Sequence, residues 1–217
     1  MKKIILLMLA VILMAPAAEA GNKQLKKAQK KEYKEKIKEY QKGKWELFGS
    51  SHTLEVALLN HYGQLNTLGA DGSEVVGIAS RFKSKNIGHQ QAINNACLTY
   101  AQQAGSKLKG RIVSDMAANG DDSSAEFDHF YAAYERLVEK EIKGEMVESY
   151  SIIRCLNPKA KNEKDKEYEM QTYFIISESA ATRARIRAME NAFKESEAAQ
   201  KYAKKVSDFV REGFATE

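Results

Sequence analysis

The stretch from Ser73 to Asp115 most constrains this chain, because three hydrophobic patterns follow one another there with almost no linker. Glu74-Val75-Val76-Gly77-Ile78-Ala79-Ser80 is short, β-branched and bounded by the turn-like Gly69-Ala70-Asp71-Gly72, which predicts a strand. Ile93, Ala96, Cys97, Tyr100 and Ala104 then recur at helical spacing, which predicts an alanine-rich helix from Gly88 to Lys107. Lys109-Gly110 reads as its stop, with Arg111-Ile112-Val113-Ser114 as the next strand. Alternation of this kind buries apolar faces by laying helices against a sheet.

The flanking segments extend the pattern. Asn22 to Gly43 reads as a solvated helix with a thin stripe of Tyr33, Ile37 and Tyr40, and Lys44 to Phe48 as a first strand. Gly49-Ser50-Ser51 turns the chain, and a serine there caps a helix running to about Asn66. Its stripe of Leu54, Leu58, Tyr62 and Leu65, broadened by Val56 and Leu59, predicts deep burial. Further on, Ser123 and Glu126 form a capping box for a helix bearing Phe127, Phe130, Tyr131, Tyr134, Leu137, Val138 and Ile142. Lys143-Gly144 repeats Lys109-Gly110, so the same helix-to-strand corner is expected twice.

Glu145 to Leu156 and Glu167 to Ser177 predict a hairpin with a charged tip. Ser179 is expected to cap a helix of about thirty residues, with Ile186, Met189, Phe193, Tyr202, Val206 and Val210 along it and an interruption near Ser196-Glu197. The whole reads as α+β: a mixed sheet of four to five strands, helices mainly on one face, and a long C-terminal helix.

The first residues carry an address. Lys2-Lys3, the apolar run Ile4–Met14 and Ala18-Glu19-Ala20 match a secretory leader cleaved before Gly21, and the run is too short to span a bilayer. The expected organisation is leader 1–20, basic helical extension 21–43 and one α+β domain 44–217. Residues 21–44 hold ten lysines against Glu32, Glu35 and Glu39, so the chain's formal excess of +5 belongs to this segment rather than to the domain. Lys26, Lys27, Lys30, Lys31, Lys34 and Lys38 are the candidate contacts for an anionic surface such as lipid headgroups. The competing reading is a solvated helix whose lysines support solubility.

The remaining constellations favour structure over chemistry. Cys97 and Cys155 fall in the exported part, where either a disulfide or two buried thiols is open to them. His52, His61, His89 and His129 lack the i, i+4 spacing of a zinc helix and read as surface or boundary residues. Asn119-Gly120-Asp121-Asp122-Ser123 fits no calcium-loop register and reads as a turn with a helix cap. There is no nucleophile elbow, Walker loop or dinucleotide fingerprint. No catalytic residue, metal or cofactor is expected.

Val75-Val76-Gly77-Ile78-Ala79, the Ala92/Ala96/Ala101 helix and the Lys-Gly-x-Ile-Val corner resemble the twenty-kilodalton surface lipoprotein family (Lpp-twenty type) and FlgP-type flagellar ring accessory proteins. The likeness spans Glu74 to Ser177, and Gly21 stands where a lipid-bearing cysteine would follow the cut. The resemblance implies a small non-enzymatic α+β envelope domain that associates at the outer membrane. The sequence thus points to a non-enzymatic exported periplasmic or outer-surface protein, bacterial in type, that acts by association with an envelope component or with itself, with no specific nucleic acid and no spanning segment after cleavage. An envelope-acting hydrolase with dispersed site residues is the alternative.

Overall fold

A computed structural model of the chain describes residues 30–119, 127–195, 199–200 and 203–212. It divides into two compact units, Met1–Trp45 and Glu46–Glu217. In the first, helix α1 spans residues 30–42. Its last turn closes with Gly43 N–H donating to the Glu39 carbonyl at 2.8 Å, and Trp45 N–H to that of Tyr40 at 2.9 Å. The left-handed residue that ends it is Lys44 (φ 55°), while a Cβ on Gly43 would lie 2.7 Å from the Trp45 ring.

The second unit contains a four-stranded sheet of β1 (Glu46–Phe48), β2 (Gly72–Phe82), β3 (Val147–Cys155) and β4 (Tyr168–Ser177), ordered β1-β3-β4-β2. The class is α+β and the strand count is four, but all three pairings are antiparallel, so the sheet is not mixed. A parallel pair would need a crossover from β2 into a second strand at 111–114. Those residues are helical.

That is the main correction. Helix α3 runs unbroken from Lys85 to Asn119, about 50 Å. Lys109-Gly110 does not stop it, and the corner seen at Lys143-Gly144 occurs once. Leu108, Ile112 and Met116 continue the buried stripe of Cys97, Tyr100, Ala101 and Ala104 at three- and four-residue steps. The C-terminal helix α6 (Ala203–Glu212) packs on this extension, where Arg111 donates to the Phe209 carbonyl at 3.0 Å and Lys205 pairs with Asp115 at 2.6 Å. A helical glycine costs about 1 kcal/mol. Burying Ile112 and Met116 returns roughly 1.5–3 kcal/mol each, so the helix continues.

Strand alternation separates the sheet's faces. Val75, Gly77 and Ala79 of β2 and Ile176 of β4 face α3, against which α4 (Asp128–Ile142) and α5 (Glu178–Ala192) build the larger core. A Cβ on Gly77 would lie 1.8 Å from the Ala92 carbonyl oxygen, so glycine sets how closely α3 lies on β2. Glu74, Tyr150 and Tyr173 face the other way, toward α2 (Leu54–Leu68). Within the second unit, α3, α4 and α5 thus lie on one face of the sheet and α2 on the other.

Smaller expectations shift by a residue or a turn. Thr53, not a serine, caps α2, accepting from Val56 N–H at 3.4 Å. The buried face of α2 is Ala57, Leu58 and His61, while Val56 and Leu59 are 39% and 55% exposed. Ser177 caps α5 in place of Ser179. The long C-terminal helix is two pieces, since α5 tightens into a 3-10 turn at Phe193–Glu195 before α6. Ser123 and Glu126, the expected capping box, lie outside the described residues.

Two glycine substitutions test this architecture in opposite directions. Gly110→Ala, with nothing within 4 Å of its Cβ, should raise stability by about 0.5–1 kcal/mol in chemical denaturation. Gly77→Ala should lower it by about 3 kcal/mol or abolish folding. A destabilised Gly110→Ala variant would restore the helix stop.

Candidate functional site

The lysine-rich segment is helical where it is described, and it buries Ile37 and Tyr40 of the thin stripe expected on a solvated helix. Lys30, Lys31, Lys34 and Lys38 are exposed on α1, while Lys26 and Lys27 lie outside the described residues. Lys31 pairs with Glu35 at 3.8 Å and Lys36 with Glu39 at 3.5 Å. Lys30, Lys34, Lys38 and Lys42 recur every fourth residue, about 6 Å apart along the axis. Among the described residues these four form no ion pair. Such a row attracts anions without fixing their orientation, because each ammonium is a point charge on a flexible stem.

In the second unit the polar side chains are drawn into structural pairs. His61, expected near the surface, is 1% exposed on α2. Its Nε2 lies 2.5 Å from a carboxylate oxygen of Glu74, and its ring meets Tyr150 and Tyr173 edge-on, themselves stacked 4.4 Å apart. Across the sheet, His89 Nε2 lies 2.9 Å from Glu148, which also accepts from Ser151 Oγ at 2.6 Å. The carboxylate stands between histidine and serine, so the imidazole bonds to the carboxylate and not to the serine hydroxyl. Arg185, buried at 2% exposure, donates to the Tyr100 hydroxyl at 2.6 Å, to Thr182 at 2.7 Å and to Glu178. This cluster joins residues 85 positions apart, a separation that no local pattern announces.

The cysteines occupy different places. Cys97 is buried on α3, where desolvation pushes its thiol above the ordinary range, and Cys155 is half-buried at the end of β3. Both are free thiols. Among the described residues no group of three His, Cys, Asp or Glu side chains could hold a metal ion, and no helix is long and apolar enough to cross a membrane.

The second unit's broad recess is apolar. A shallow groove of about 500 Å³ opens between α2, the start of β3 and the start of α5. Leu68, Val147, Ile175 and Ala180 supply its apolar wall, and Val147 is 61% exposed. Glu145 and Arg183 at the rim pair at 2.9 Å, and Glu145 also receives Arg187 at 2.8 Å. The His61–Glu74 bond ties the α2 wall to β2, where Glu74 stands opposite Ile175 in the ladder. This arrangement holds apolar side chains and brings no nucleophile and base together.

Glu145 gives the rim a pH signature. Hydrogen bonds from Arg187, and from Arg183 behind it, hold its carboxyl below the ordinary 4.5 against the opposing effect of desolvation. A depressed folded-state value contributes stability above pH 4.5 that is lost as pH falls through the folded value. Glu145→Gln should therefore flatten the acid limb of a melting-temperature profile below that pH and lower the plateau near neutrality. An unchanged acid limb would place the acid sensitivity elsewhere.

No protein-family model, curated protein or solved structure matches this chain.

Proposed function

We propose that the protein is an exported cell-envelope component that acts by association rather than by catalysis. The observation that carries this reading is the groove, an open apolar recess whose rim charges neutralise one another. An exposed apolar patch bordered by polar groups is the usual mark of a contact surface. Catalysis asks for displaced titratable groups left available to a substrate, whereas the displaced carboxyl at this rim, Glu145, is engaged by Arg183 and Arg187. The histidines point away from that use, since His61 and His89 each hold a carboxylate that bridges elements of the fold. The leader-like Met1–Ala20 segment supports an envelope address, and the resemblance to surface and flagellar ring accessory proteins supports the same role.

Val147→Asp tests this reading, because Val147 is exposed enough to be replaced without cost to folding. The wild-type chain should be recovered with the envelope fraction of its own cells. The variant should move into the soluble fraction with an unchanged melting temperature. Equal distribution of the two, or turnover of envelope polymers by the purified protein, would contradict the proposal.

A further inference from the structure

The basic row on α1 breaks a rule of helix stability. Like charges four residues apart destabilise a helix by about 0.2–0.5 kcal/mol per pair. Lys30, Lys34, Lys38 and Lys42 make three such pairs, and Lys26 continues the spacing in sequence. Glu35 and Glu39 lie beside it, but Glu35 pairs with Lys31 and Glu39 with Lys36, and neither forms an ion pair with the row. The row therefore carries positive charge over about 18 Å with no ion pair of its own among the described residues.

We propose that this row is a peripheral docking face for an anionic phospholipid surface. The reading rests on the association proposal for its setting and names a partner for the first unit. Charge complementarity selects an anionic partner. The row winds about a third of a turn around the helix, and its long flexible side chains can still reach one headgroup layer, where each ammonium meets a diffusely held phosphate. Residues 21–45 contain no arginine, the side chain favoured for bidentate recognition of individual phosphates in nucleic acid. Ile37 and Tyr40 of the apolar stripe are buried and Tyr33 alone is too little for insertion, so attachment is electrostatic and reversible by salt.

The test is co-sedimentation of the protein, as recovered from its own cells, with phosphatidylglycerol–phosphatidylcholine vesicles, phosphatidylcholine vesicles and duplex DNA. Two quadruple variants are compared: Lys30/Lys34/Lys38/Lys42→Gln, and the charge-matched Lys140/Lys159/Lys161/Lys164→Gln. Circular dichroism establishes that both remain folded. The wild type and the charge-matched variant should bind the anionic vesicles and release them between about 0.05 and 0.5 M salt. The row variant should bind at least about tenfold more weakly. Equal losses in both variants, equal binding to neutral vesicles, or row-dependent binding to DNA alone would overturn the inference. Should the vesicle result fail while Val147→Asp still leaves the envelope fraction, the lipid partner falls and the association proposal stands.

Discussion

The second unit depends on one close approach, that of Gly77 on β2 to Ala92 on α3. No side chain fits between the strand and the helix backbone at that point, since even a methyl group would lie 1.8 Å from the Ala92 oxygen. Ala79, Ala92 and Ala96 keep the neighbouring surface equally small and buried. This contact seats the long helix on the sheet. Farther along α3, the buried stripe from Cys97 to Met116 joins α4, α5 and α6 in the larger core, where Phe130 packs between Phe127, just before α4, and Phe193, just after α5.

Charge is handled differently in the two units. In the second, carboxylates and cations are matched across elements: Glu145 holds two arginines of α5, Arg154 on β3 holds Glu169 on β4, and Arg185 is enclosed by Tyr100, Thr182 and Glu178. Burying a guanidinium is tolerable only when its donors are met in this way, because the desolvation penalty is several kcal/mol. On α1 the matching is partial: Lys31 and Lys36 pair with Glu35 and Glu39, while Lys30, Lys34, Lys38 and Lys42 form no ion pair among the described residues. Internal matching serves folding, whereas unmatched charge on a surface is available to a partner.

Much of the fold was legible in the residues because its signals are local. The β3–β4 hairpin, the amphipathic α4 and the Gly69–Gly72 turn before β2 follow from alternation, a wide apolar stripe and turn chemistry. Gly110 misled because Lys109-Gly110 and Lys143-Gly144 are the same dipeptide with different fates. Beyond Gly110, Ile112 and Met116 keep helical spacing and find α6 to pack against, a partner some ninety residues away in the sequence. His61 and Arg185 were illegible for the same reason, since a polar residue reads as solvated until its distant partner is known. The groove draws on α2, β3, β4 and α5, so no contiguous motif could disclose it, whereas the lysine excess is contiguous within residues 21–44 and plain in the sequence.

Backbone chemical shifts across Lys107 to Met116 test the architecture most directly. One continuous α3 predicts helical Cα and carbonyl shifts through Gly110 and Arg111–Ser114, with slow amide exchange at Ile112 and Met116. Strand-type shifts at Arg111–Ser114, together with a rapidly exchanging break at Gly110, would contradict it.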